Sequence, residues 1–537
     1  MLLCAYDKRQ KQNAKIVMPS FIRKACEMLE KHGELVRIKE PVSPNLEMPG
    51  LARKAFAESG PAFFFENVEG SKFPAVCNLF GSEKRAKLLL KGEVALNFKN
   101  IPRAFHALPL PAICKPVMQQ EISLSDLPQI KCWPRDGGAF LTLPQVLTIK
   151  PGKHSWLHSN LGMYRVQISG GDYVQNEECG LHYQIHRGIG IHHQEALAAC
   201  EKLKVSIFIG GPPGNTLAAI MPLPNGVPEL AFAGMLSKRA FRYAWHNGWL
   251  VSADADFCIL GEIQNDLKPE GPFGDHLGYY SEQHQFPYLK VHKVFARKDA
   301  VFPFTVVGRP PQEDTIFGNL IHKITAPFIP KMLPGVHEVN AVDAAGVHPL
   351  LLALGSERYL PFEKREPLEL LTQSSAILGF GQLSLAKYLF IAAKEDNPNL
   401  SVHSIPEFFE HILCRINIER DINIIKSTSI DTLDYTGTSL NRGSKAIFAA
   451  AGEPCRELGS AGPVRGILVV EKLENTESAE KFPIVVLCDD AEFTRKNLEN
   501  LLWVTFTRSN PANDISIKGN QIVIDARKKP HHAKELE

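Results

Sequence analysis

The chain has 537 residues, 44% of them apolar and 22% charged, and a net charge of +2. At roughly 150 residues per domain that length predicts about three domains, and the balanced charge argues against a nucleic-acid or anionic-membrane surface as the main function. No apolar run approaches the roughly 18 residues that span a bilayer. The 11 cysteines are odd in number and lack a CxxC pair, which argues against a disulfide framework or thiolate zinc site and for a reducing, cytoplasmic setting.

The mildly apolar start runs straight into Asp7, Lys8, Arg9 and Lys11, so no signal peptide is read there. Residues 1–18 are read as an extension, with Met18 as an alternative start. Ser20 is read as the N-cap of a helix whose apolar residues Phe21, Ile22, Cys26, Met28 and Leu29 recur at helical spacing up to Gly33. Strand-like runs at 34–38 and 62–65 and a helix-like run at 83–90 predict an N-terminal α/β domain over 19–120, bounded by the proline-rich stretch 102–116. Residues 121–320 change to short β-rich runs at 146–150, 164–168, 205–209 and 257–260. Gly and Pro cluster at 210–214 and 270–274, and this spacing predicts a barrel or sandwich.

After Pro310 and Pro311, α/β alternation returns over 321–525. Within it, 389–424 and 482–517 align without a gap. The alignment pairs Asp396 with Asp489, Arg415 with Arg508, Asn417 with Asn510, Asp421 with Asp514 and Ile424 with Ile517. Each stretch reads as strand, acidic turn, helix and short strand: a candidate duplicated unit, with chance similarity as the alternative. Residues 526–537 read as a charged, mobile tail.

Asn160, His186 and Glu229 offer an amide oxygen, an imidazole nitrogen and a carboxylate, a donor mixture suited to Mn²⁺ or Mg²⁺ rather than to a thiolate zinc site. They are far apart in sequence, which leaves a shared site open. A zincin needs HExxH, but Tyr183 stands after His182. There is no GxSxG elbow, and the Gly210 to Gly214 run has no lysine or hydroxyl at the offset of a phosphate loop, so it reads as a strand-ending turn. Arg165, Glu270 and Asp275 are a second constellation. The two acids flank a Gly-Pro-Phe-Gly turn; closeness raises one pKa while an arginine holds the other acid ionised, giving a proton donor at neutral pH. A surface turn with a salt bridge is the plain alternative.

Together the motifs NLGMYR (160–165), QIHRG (184–188), FAGML (232–236), EGPFGDHLGYY (270–280) and VVGRPPQED (306–314) resemble the UbiD family of decarboxylases. The likeness extends to 21–38 and 60–81, is good to about Gln312, weaker to Asp431 and poor after Lys445. It implies a mixed α+β fold with an N-terminal α/β domain, a central split β-barrel that binds flavin, and a C-terminal α/β domain. It implies prenylated FMN, supplied by a partner flavin prenyltransferase and tied through Mn²⁺ or Mg²⁺, with K⁺ nearby. By motif, Asn160, His186 and Glu229 correspond to metal ligands. Met163, Tyr164, Arg165, His182, Tyr183, Gln184, Arg187 and Gly188 correspond to cofactor contacts, and Arg165, Glu270 and Asp275 to the catalytic set, with Asp275 the proton donor.

Two stretches depart from the family pattern. Residues 169–180 are longer, either reshaping the flavin rim or simply lengthening a hairpin, and 446–452 lack the acid expected after Lys445. The resemblance implies a homo-oligomer, dimer or hexamer, that decarboxylates without oxidation an aromatic or α,β-unsaturated acid, in the first place a prenylated hydroxy-aromatic acid of ubiquinone or menaquinone biosynthesis, and is at most peripheral to a membrane. The competing readings are a non-catalytic flavin-binding or assembly homologue and an ordinary FMN oxidoreductase.

Overall fold

The computed structural model describes residues 20–90, 107–183, 188–223, 227–359, 362–473 and 479–537. The extension 1–18, residues 102–106 of the proline-rich stretch, and Gln184, His186 and Arg187 lie outside the described residues. The chain forms two compact units: Met1–Gly271 with Gln283–Val306, and Pro272–Glu282 with Val307–Glu537. Secondary structure is mixed α+β throughout.

The first unit holds two main sheets. A four-stranded sheet joins Leu35–Val42, Ala62–Val68 and Ala75–Cys77 to Phe302–Phe304, so a strand from far along the chain returns to the N-terminal layer. The larger sheet has nine strands, all paired antiparallel. Its spine is the hairpin of Phe257–Glu270 and His284–Ala296. The sequence reading ends the first of these strands at Leu260. Pairing carries it ten residues further, through two register irregularities, because the partner strand supplies the hydrogen bonds that the polar sequence 264–270 does not advertise.

The first helix, Ile22–Lys31, corrects the sequence reading of its start: Phe21, not Ser20, is the N-cap residue, and its side chain makes no capping hydrogen bond. The missing acceptor is Asp256, whose buried carboxylate accepts from Ile22 N–H at 3.1 Å, Gly211 N–H at 2.8 Å and Val301 N–H at 3.3 Å. Such a cap, 234 residues away, is invisible to a local signal. It also accounts for the Gly210–Gly211 turn. Both glycines have positive φ, and a Cβ on Gly210 would sit 2.5–2.9 Å from Asp256 and Ile22.

The second unit is built on a five-stranded sheet in the order Glu338–Ala341, Leu350–Gly355, Tyr388–Ala393, Arg442–Ala450, Ile422–Ser429. Its three central strands are parallel and buried on both faces, which is why they read as continuous apolar runs. Alternate residues feed two cores: Leu352, Phe390 and Phe448 on one face, Ala353, Ile391 and Ala449 on the other. A second sheet runs Ile467–Val470, Ile484–Leu487, Gln521–Asp525, Ile515–Lys518.

The two sheets share a plan. In each, three strands pair in parallel one after another, and the third is then flanked by an antiparallel edge strand. The two aligned stretches occupy equivalent places in this plan. Asn417 N–H donates to Asp421 Oδ2 at 2.8 Å, and Asn510 N–H donates to Asp514 Oδ2 at 2.7 Å. The two sheets share one core, in which the Phe390 ring lies 4.9 Å from Phe409, 4.4 Å from Phe448 and 6.0 Å from Phe506. The tail read as mobile is instead paired: Glu535 bridges Tyr279, Tyr280 N–H donates to Lys534 O, and Leu536 N–H donates to Gly278 O.

Candidate active site

In the first unit, neighbouring strands of the large sheet end close together. Arg165 precedes Val166–Gln167, His182 follows Glu178–Leu181, and Glu270 closes Phe257–Glu270. Pairing of Leu181 with Val166 sets His182 beside Arg165, whose carbonyl accepts from the His182 N–H at 3.4 Å. Arg165 Nε and Nη2 donate to the two oxygens of Glu270 at 2.8 and 2.7 Å, a bidentate pair, and His182 Nδ1 lies 3.2 Å from Glu270 Oε2. Glu270 is 0% exposed. Burial alone would raise its pKa; the Arg165 charge and the hydrogen bonds from Arg165 and His182 overcome that and hold it at about 2. This is a fixed anion neutralised by fixed donors. Gln167 Oε1 accepts from Gly271 N–H at 3.0 Å and braces the chain just past the glutamate.

The stretch 169–180 runs from the strand Val166–Gln167 into its antiparallel partner Glu178–Leu181. Lys268 ties it to the Glu270 strand by pairing with Glu178 and donating to Asp172 O at 3.1 Å. Its Tyr173 lies over Gly180, where a Cβ would overlap the phenol oxygen. Burial, with Glu270 nearby, raises the Tyr173 pKa.

Two of the metal candidates, Asn160 and Glu229, are among the described residues. Asn160 lies on Ser159–Gly162 and Glu229 opens the helix Glu229–Ser237. The Glu229 carboxylate accepts hydrogen bonds from its own N–H and from Leu161 N–H, the residue after Asn160. Desolvation nevertheless pushes its pKa up to about 7. With no cationic partner among the described residues, this partly buried carboxyl suits a metal ion. Asn160 Nδ2 is buried without a hydrogen-bond partner among the described residues, and a Cβ on Gly188 would overlap Asn160 Oδ1. So Asn160 is packed on the glycine that ends the QIHRG motif, with donor capacity to spare, and the residues present fit a metal bound beside an anionic group. Of the cofactor candidates, Tyr164 packs on Gly162, where a Cβ would overlap its ring, and its ring centroid lies 6.5 Å from that of Tyr183. Tyr183 Oη is 2.6 Å from His193 Nδ1, and His193 Nε2 is buried with no hydrogen-bond partner among the described residues.

Asp275 belongs to the second unit, on the Pro272–Glu282 hairpin. Its turn closes through Gly278 N–H donating to Asp275 O and Asp275 N–H donating to Tyr279 O, both at 3.0 Å. Sequence reasoning missed its partner, His276: the backbone N–H donates to Asp275 Oδ1 at 2.8 Å and Nδ1 lies 2.9 Å from the same oxygen. The adjacent Asp-His pair inside EGPFGDH was the available signal. Burial would lower the His276 pKa, but Asp275, with Asp431 and Asp314 nearby, raises it to about 9. His276 is therefore an imidazolium at neutral pH. Asp314 is pushed up to about 7 by burial, and Asp343, also raised by burial, accepts from Thr315 Oγ1 at 2.7 Å. His348 Nε2 lies 3.6 Å from Asp431 Oδ2. The stretch without an acid after Lys445 is explained by its place in the central strand, where Ala446, Phe448 and Ala450 enter one core and Ile447, Ala449 and Ala451 the other.

Three family models match the chain, all of 3-octaprenyl-4-hydroxybenzoate carboxy-lyase (UbiD): the N-terminal domain over 26–101, the Rift-related domain over 109–310 and the C-terminal domain over 315–450. A 4-hydroxybenzoate decarboxylase component of Chlamydia pneumoniae is 37% identical, with 96% of each chain covered. An uncharacterised protein of Aquifex aeolicus is 33% identical over 79% of this chain and 90% of its own. Among solved structures, vanillic acid decarboxylase of Sedimentibacter hydroxybenzoicus in closed form matches with a TM-score of 0.70 at 21% identity, covering 86% of this chain and 97% of that one. The UbiD-class enzyme HmfF of Pelotomaculum thermopropionicum matches with TM-scores of 0.65 in complex with FMN and 0.63 as an evolved dimeric form in complex with prFMN. Both HmfF matches are at 20% identity and cover 81% and 82% of this chain, and 94% and 97% of those. With matched models across all three regions and a near full-length relative, the chain belongs to the UbiD family of carboxy-lyases and is a decarboxylase.

Proposed function

We propose that the chain is a prenylated-FMN-dependent, non-oxidative decarboxylase of an aromatic or α,β-unsaturated acid, and that its substrate is a prenylated hydroxy-aromatic acid of ubiquinone or menaquinone biosynthesis. The observation that carries this reading is the buried Glu270, held as an anion by Arg165 and His182 within the cofactor motifs. Loss of CO₂ from an sp² carbon leaves an electron pair that needs a sink, and prenylated FMN supplies that sink when bound. The protein's part is charge, orientation and a proton. Arg165 fixes Glu270 and draws in the substrate carboxylate. The proton that the Asp275 carboxylate holds on His276 passes to Asp275 Oδ1 across 2.9 Å, and Asp275 gives it to the carbon that has lost CO₂.

Asn160, His186 and Glu229 would hold Mn²⁺ or Mg²⁺, with K⁺ alongside. Met163, Tyr164, His182, Tyr183, Gln184, Arg187 and Gly188 would hold the cofactor together with Arg165. A flavin prenyltransferase supplies it. Among the described residues no helix is long and apolar enough to cross a membrane. The proposed setting is the cytoplasm, as a homo-oligomer, with at most peripheral membrane contact.

Glu229→Gln is expected to weaken Mn²⁺ binding by about 100-fold or more, read by metal titration of the purified protein. Unchanged affinity would remove Glu229 from the ligand set. The cofactor is tested by a mass spectrum of the protein from cells co-expressing a flavin prenyltransferase. Prenylated FMN is expected, and retention of only unmodified FMN counts against the reading.

A further inference from the structure

The hairpin that carries Asp275 and His276 has little holding it from within. Its strands, Phe273–Gly274 and Tyr280–Ser281, are two residues each, too short to be stable alone. Contacts from the second aligned copy and from the chain's last residues help hold it, beside Glu282 N–H donating to Tyr435 Oη at 2.9 Å and Leu277 packed on Gly346. Trp503, on the helix Leu498–Thr507, donates its Nε1 hydrogen to Leu277 O at 2.8 Å and stacks on Tyr279, with centroids 5.3 Å apart and planes at 16°. Tyr279 Oη shares a hydrogen bond with Thr507 Oγ1 at 3.0 Å and accepts from Arg508 Nε at 3.2 Å. On the other side, residues 534–536 bond the hairpin backbone as an added strand: Tyr280 N–H donates to Lys534 O at 2.7 Å and Leu536 N–H donates to Gly278 O at 3.0 Å. Arg508 pins that strand through Glu535 at 2.7 Å.

The fit leaves no slack at Gly278, where φ is +85° and a Cβ would lie 2.8 Å from Arg309 Cβ and 3.2 Å from Trp503 Nε1. The first copy makes no such use of the equivalent positions. Glu410 aligns with Trp503 and faces Arg465 at 4.0 Å. Arg415, which aligns with Arg508, donates to Gly452 O and His411 O, close to its own helix and strand.

We propose that the second copy and the chain terminus form a positioning device for the Asp275–His276 pair, with Trp503 and the 534–536 backbone as its working parts. The proposal rests on Asp275 being the proton donor. The bonded residues 277–280 begin two positions after Asp275, so a shift there moves the donor directly. A misplacement of about 1 Å can cost on the order of 100-fold in rate.

The test uses the full-length holoenzyme and three variants: a stop after Ala533, Trp503→Phe, which keeps an aromatic face but loses the donor, and Trp503→Ala. With the stop, amide exchange at 278–280 should speed up about tenfold or more, kcat should fall by about tenfold or more with KM little changed, and the solvent deuterium isotope effect on kcat should rise as proton delivery becomes limiting. Trp503→Phe should retain more of kcat than Trp503→Ala. Should the truncated chain fail to fold, the tryptophan pair reads the same quantities. Faster exchange at 278–280 with unchanged kcat and isotope effect would overturn the proposal, as would unchanged exchange. Full turnover by Asp275→Asn would instead sink the donor assignment, while the exchange result would still report on the clamp.

Discussion

Asp275→Asn is expected to lower turnover by about 10²–10⁴-fold, the range general acid catalysis supplies. The amide keeps the size of the side chain and one oxygen for the His276 contacts at 2.8 and 2.9 Å, but it cannot release a proton. Cofactor and metal should stay bound, because Asp275 is neither a metal candidate nor among the cofactor residues. The same pair sets a pH limb. His276 is charged below a pKa of about 9, so turnover should fall as pH rises through that value and the imidazolium loses the proton it supplies to Asp275. Initial rates of product formation against pH check both points. Turnover within about threefold of wild type would remove Asp275 from its role.

Glu270→Gln should be costly twice over, in stability and in rate. The neutral amide leaves the Arg165 guanidinium and His182 buried without their anion, and breaking a buried pair from one side costs about 3–5 kcal/mol. The pKa gives a similar figure by another route. A carboxyl held at about 2 rather than its ordinary 4.5 corresponds to about 3 kcal/mol of stability. The sign follows from the depressed value. This stabilisation is fully present above pH 4.5 and is lost as pH falls from there toward 2. The stability gap between wild type and Glu270→Gln, measured by chemical denaturation, should therefore narrow as pH is lowered from about 5 to about 3. A gap that stays constant across that window would show that the Glu270 charge is not what the variant loses. Turnover should drop as well, since the guanidinium that Glu270 orients is free to swing away.

The candidate site was legible where chemistry is contiguous in sequence. Glu270, Asp275 and the Gly-Pro-Phe-Gly turn lie in one short run, and Asn160, Met163, Tyr164 and Arg165 in another. The parallel core strands were legible because burial on both faces writes an unbroken apolar run, as at Tyr388–Ala393. What sequence could not show depends on residues meeting from far apart. Asp256 caps a helix 234 residues away, so the local hydroxyl of Ser20 reads as the cap when the sequence stands alone. The strand ending at Glu270 looks finished at Leu260 because its last residues are polar and owe their order to a partner strand. The charged terminus looks mobile because its composition carries no packing signal, yet backbone bonds to Gly278 and Tyr280 hold it whatever its side chains. His276 escapes notice for a different reason: an imidazole gains a role only through its neighbours, and Asp314 and Asp431 approach it only in the fold.

The most direct test is CO₂ release from a prenylated hydroxy-aromatic acid by the protein reconstituted with prenylated FMN and Mn²⁺. One CO₂ per decarboxylated product, with no consumption of NAD(P)H and no turnover when unmodified FMN replaces the prenylated form, is the expected result. Bound prenylated FMN and Mn²⁺ without CO₂ release from aromatic or α,β-unsaturated acids, or steady oxidation of NAD(P)H in their presence, would contradict it.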